Sequence, residues 1–187
     1  MKRKSLWLAI SNVVVLMMVV GAGAVARAEN PFFQLTGVIN GFSPATVNPP
    51  GPWEMHGTWS LNLNPFTDRA DFTADLTMER SDLWVIANNQ SPDQTAMRMS
   101  HTHHIALKGV KITMIPNGFR LSGTATVTKD GSPAPFNPAP LQVDFTGGTS
   151  LLISNVALTF LPNPNQPLND ATVHFGKVPI LGVVGKP

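Results

Sequence analysis

The chain of 187 residues contains no cysteine and no tyrosine, and only 13% of its residues are Asp, Glu, Lys or Arg, about half the usual quarter. Without cysteine there is no disulfide, no Fe–S cluster, no thiolate metal site and no cysteine nucleophile. The fold must then be held by its core alone. Without tyrosine, the aromatic girdles of an outer-membrane barrel would fall to very few residues, which weighs against that architecture although size and hydropathy alternation permit it. No G-x-S-x-G elbow, H-E-x-x-H pair, P-loop or strand-following G-x-G-x-x-G is present, so the sequence points away from an enzyme.

What is present begins with a leader. Lys2, Arg3 and Lys4 precede a nearly unbroken apolar run from Leu6 to Ala26, and Ala26-Arg27-Ala28 offers a small-x-small cleavage site before Glu29. Residues 1–28 are therefore expected to be a signal peptide and residues 29–187 a single secreted or periplasmic domain. The run is also just long enough to cross a bilayer, which makes an uncleaved N-terminal anchor the alternative. Four of the 13 Lys and Arg lie in the leader (Lys2, Arg3, Lys4, Arg27) and none of the 11 Asp and Glu. The rest of the chain thus carries nine basic against eleven acidic side chains, a formal charge of −2. The basic character of the whole chain belongs to the leader, and no charge argument remains for a nucleic-acid partner or for stable membrane association after cleavage.

All 17 prolines and 13 of the 15 glycines follow the leader, and from Phe33 onward the pattern is period-two alternation broken by Gly, Pro, Asn and Asp. In Ala70 to Glu79, Phe72, Ala74, Leu76 and Met78 oppose Asp71, Thr73, Asp75 and Thr77. His56 to Leu63 and Phe119 to Thr128 alternate in the same way. Further strands are expected at Phe33 to Ile39, Leu83 to Ala87, Ser100 to Leu107, Val110 to Ile115, Leu141 to Phe145, Ser150 to Phe160, Ala171 to Phe175 and Val178 to Val184, with no helix. Pro116-Asn117-Gly118 and Lys129-Asp130-Gly131-Ser132 carry the residues of tight turns. The expected fold is all-β: a single-domain antiparallel β-barrel or barrel-like sandwich of about ten strands, built as a meander.

The segment Met97-Arg98-Met99-Ser100-His101-Thr102-His103-His104 concentrates three of the five histidines. If the strand extends back to Met97, then Met97, Met99, His101 and His103 share the face continued by Ile105 and Leu107. Side chains at i and i+2 of a strand project in parallel, so two imidazoles can approach one ion. His101, His103, Met99 and His56 are the candidate metal ligands. Imidazole suits zinc or copper(II), and a methionine thioether shifts the preference toward copper(I). The alternative is that this row is ordinary core, hydrogen-bonded to backbone. By parity, His56 and His174 fall on the polar faces of their strands, while a β-bulge between Met97 and His104 would reverse the assignment of the row itself. Trp53 and Trp84 stand beside Glu54 and Asp82, a pairing that serves either sugar stacking or core packing.

Three functions are compatible with these features. The first is a β-barrel holding an apolar or amphiphilic small molecule. The second is a metal-binding protein using the His101/His103 strand, with copper or zinc as the ion. The third is a structural or adhesive surface domain with proline-stiffened loops.

Overall fold

The structure, a computed structural model, describes residues 33–43, 52–64, 66–80, 100–147, 153–167 and 170–184. The leader, the expected strand at Leu83 to Ala87, Trp84, and Met97 and Met99 lie outside these residues.

Nine strands run in chain order: β1 (Phe33–Ser43), β2 (Trp53–Asn64), β3 (Arg69–Arg80), β4 (His101–Ile115), β5 (Gly118–Lys129), β6 (Ser132–Pro133), β7 (Ala139–Gly147), β8 (Ile153–Phe160) and β9 (Ile180–Val184). The hydrogen-bonded order is β4-β3-β2-β1-β9-β8-β7-β5, with β4 pairing back onto β5, so eight antiparallel strands close into a barrel. The two-residue β6 is an appendage on the end of β5. The barrel reading is thereby borne out, with the ring closed by the β4–β5 pairing and, between β1 and β9, by a short register at Gly37 to Ile39.

The alternation read from the sequence maps onto inside and outside. Phe72, Ala74, Leu76 and Met78 are buried in the interior, and so are Leu61, Leu121, Val127, Leu141, Val143 and Leu158. Glu54, His56 and Thr58 on β2, and Thr102 and His104 on β4, are exposed outside. A membrane-spanning barrel carries the opposite polarity, apolar outward. Exceptions are a strip on β1 and β9, where Val38, Phe42, Leu181 and Val183 are exposed, and Met114 near the end of β4.

Two local features correct the sequence reading. Ser100 to Leu107 and Val110 to Ile115 are one strand, not two. A single extra residue enters β4 between Leu107 and Val110, which pair with Phe72 and Ala70 respectively. The bulge is centred on Gly109, whose φ of 58° suits a residue without Cβ. Its N–H donates to the Asp71 carboxylate at 2.6 Å, and Arg69 donates to its carbonyl. The bulge falls after His104, so the inward row His101, His103, Ile105, Leu107 keeps its parity.

The second correction is that Ala171–Phe175 is not a strand but a short helix, α1, between β8 and β9. Asp170 caps it by accepting from the Thr172 N–H at 2.8 Å, and Gly176, at a φ of 86°, ends it by donating to the Thr172 carbonyl. The apolar Ala171 and Phe175 are buried together with His174 and Thr172, whereas Val173 is exposed. Ala171, His174 and Phe175 have the i, i+3, i+4 spacing of one helical face rather than the i, i+2 spacing of a strand. The Ser43 hydroxyl donates to the Phe175 carbonyl at 3.0 Å and so ties the end of the helix to the end of β1.

Candidate metal centre

The inward row of β4 brings His101 and His103 to the end of the barrel that α1 covers, and the helix adds His174. All three are buried, at 6%, 1% and 8% exposure. His101 Nε2 lies 3.2 Å, and His103 Nε2 3.0 Å, from His174 Nε2. One ligand nitrogen from each ring falls within 4.8 Å of the others.

The rings are held from several sides. His103 Nδ1 is 2.9 Å from the Thr128 carbonyl oxygen on β5. A carbonyl only accepts, so Nδ1 carries the proton and Nε2 of the neutral ring presents a lone pair toward His174. Phe136, from the loop after β6, stacks on His174 at 5.1 Å between centroids, Phe175 meets His103 edge-on at 4.9 Å, and Trp53 meets His101 edge-on at 5.4 Å. The Arg80 guanidinium carbon lies over the Trp53 ring, 5.0 Å from its centroid.

In the neutral cluster, His103 Nε2 can accept from His174 Nε2–H, and His101 Nε2 faces the same His174 nitrogen. Protonating His103 is opposed by its burial. Burial, aided by His101 and Lys129, pushes the His103 imidazolium down to about 4, against the Thr128 carbonyl and Asp130, which favour the charged form. A metal ion at the point of convergence would engage all three lone pairs. The separations of 3.0 and 3.2 Å from His174 are close to the edge of about 3.3 Å expected for a tetrahedron with metal–nitrogen bonds of about 2.0–2.1 Å, and the third edge lies within 4.8 Å.

The sequence-predicted ligands divide accordingly. His101 and His103 meet inside the barrel. His56 does not join them, because it occupies an outward position on β2 and is exposed. His174 takes the third place, and the assignment of that residue to a polar strand face fails because the segment is helical. His104 points outward and pairs with Asp75 at 2.7 Å, as expected of a surface residue. Asp170 and Gly176 were the visible signals for the missed element: a cap and a stop with five residues between them.

The rest of the interior is filled by side chains. Trp59 meets Phe145 edge-on at 5.6 Å and stacks on Phe72 at 6.4 Å, and Phe119 stacks on Phe145 at 4.8 Å. Trp53 is buried, so its role is packing rather than an exposed sugar platform. An open groove of about 370 Å³ lies on the outer side of β1, β2 and β3, bordered by Thr36, Val38, Thr58, Ser60 and Thr73.

Comparison with protein families, curated proteins and solved structures finds no match for this chain.

Proposed function

We propose that this protein binds one transition-metal ion of the copper or zinc class through His101, His103 and His174. The convergence of three buried imidazole nitrogens, at 3.0 and 3.2 Å from the shared His174 Nε2, carries this reading. Imidazole sets of this kind suit zinc and copper, whereas calcium and magnesium require oxygen. Three protein ligands leave a further coordination position, and the aromatic collar of Trp53, Phe136 and Phe175 limits what reaches it. The aromatic packing of the interior supports this reading over that of a carrier, which would need the same volume for its ligand. The leader supports placing the protein outside the cytoplasm, in a secreted or periplasmic location where a cysteine-free site is indifferent to thiol oxidation.

The test is metal analysis of protein purified without chelator or affinity tag, with titration by zinc(II) and copper beside the double variant His101→Ala, His103→Ala and the single variant His174→Ala. Stoichiometric binding in the wild type and at least a hundredfold weaker binding in both variants is the expected result. Equal, weak binding by all three proteins overturns the reading.

A further inference from the structure

The interior row that holds His101 continues across the sheet into methionine. Met78 on β3 is the Cα partner of His101 on β4, and Met55 on β2 is the Cα partner of Met78. All three face inward; both methionines are fully buried. Directly opposed residues on antiparallel strands hold their Cβ atoms about 4.5–5.5 Å apart. The thioether sulfur of Met78 stands two bonds beyond its Cβ, on a side chain with three rotatable bonds and a polarizable donor atom. The equivalent partner of His103 on β3 is Leu76, which has no donor atom. Beside the triad, the neighbouring strand therefore supplies a soft ligand at the His101 position and not at the His103 position.

We infer that Met78 Sδ is the fourth ligand of the centre and that the ion is copper(I). The inference rests on the reading of the three histidines as a metal site. In a chain without cysteine, thioether is the only soft donor available, and a set of three imidazoles and one thioether favours the cuprous ion over zinc, which prefers nitrogen, oxygen or thiolate. A buried, ring-lined setting adds to that preference, because it disfavours the more highly charged cupric ion and keeps water from the ligand positions.

The experiment is anaerobic titration of the full-length protein with cuprous ion against bicinchoninate, and separately with zinc(II), for the wild type, Met78→Leu and Met55→Leu. X-ray absorption at the copper edge of the wild-type complex accompanies it. Leucine preserves the methionine volume closely, so the fold is retained. The expected result is a sulfur neighbour in the wild-type spectrum, its disappearance in Met78→Leu with at least tenfold weaker cuprous binding, unchanged zinc affinity in Met78→Leu, and a retained sulfur signal in Met55→Leu. An all-nitrogen copper shell in the wild type, or tighter zinc than cuprous binding, overturns the inference while leaving the histidine site standing. Loss of the sulfur signal in Met55→Leu instead of Met78→Leu overturns the assignment to Met78. Absence of binding by either ion overturns both readings. The wild-type spectrum needs no variant, so poor folding of Met78→Leu does not remove the test.

Discussion

His103 and Thr128 are joined across β4 and β5 by a hydrogen bond from the imidazole Nδ1–H to the main-chain carbonyl, 2.9 Å long, that fixes the tautomer of the most buried histidine. Its neutral form is the folded form. The group is ordinary, near 6.5, in the unfolded chain and pushed down to about 4 in the barrel. Between those values the unfolded chain binds the extra proton, so this contribution to stability is present above pH 6.5 and is lost as pH falls toward 4. Metal-free protein should therefore lose about 2–3 kcal/mol between pH 7.5 and pH 4.5 on this account. Urea unfolding at the two pH values checks it; His103→Phe should show a drop smaller by about that amount.

The two histidines that parity assigned to polar strand faces, one of them inward in the fold and the other outward, give a second, paired prediction. His174→Ala should weaken zinc or copper binding at least about a hundredfold, because it removes a ligand to which both others converge. His56→Ala, on the outer face of β2, should leave binding within about twofold. Competition titration against a chromogenic chelator compares them directly.

Period-two reading recovered the barrel and the pair His101 and His103 because inside and outside alternate on every long strand, and a side chain's face follows from its parity. It failed where parity ceases to apply. In Ala171–Phe175 the apolar order also looks alternating, yet Asp170 and Gly176 bound a single helical turn, and capping decides the local structure there. The bulge at Gly109 shows the same limit in β4, at a point that happens to lie beyond the histidines. The meeting of His174 with residues more than 70 positions earlier is a tertiary fact, set by barrel closure, and no local pattern encodes it.

Asp170 joins helix and loop. Burial alone would raise its pKa, but the Thr172 and Asn163 main-chain N–H groups hold the carboxyl below its ordinary range. Asp170→Ala should cost about 1–2 kcal/mol in chemical denaturation, the usual range for a lost cap. It should also weaken metal binding, since the helix it starts carries His174. Asp170→Asn, which keeps an accepting oxygen, should recover most of both losses.

Gly37 makes room for Trp59. The indole Nε1–H donates to the Val183 carbonyl at 3.2 Å, and a Cβ on residue 37 would lie 2.0 Å from that oxygen and 2.6 Å from the nitrogen. Gly37→Ala forces the backbone of β1 or β9 to move and should cost about 2–4 kcal/mol, whereas Trp59→Phe removes one hydrogen bond and some volume and should cost about 1–3 kcal/mol. The same denaturation measurement orders them.

The pairing of β1 with both β2 and β9 has a consequence for timing. A chain made from its N-terminus presents β1 to β8 while the ring is still open, and His101 and His103 then stand on β4 with no third imidazole near them. The helix that brings His174 lies immediately before the strand that shuts the ring. Closure of the barrel and arrival of the third histidine therefore fall within one short stretch of chain. An ion that needs all three histidines is a passenger taken on as the ring shuts, not a template around which the earlier strands assemble.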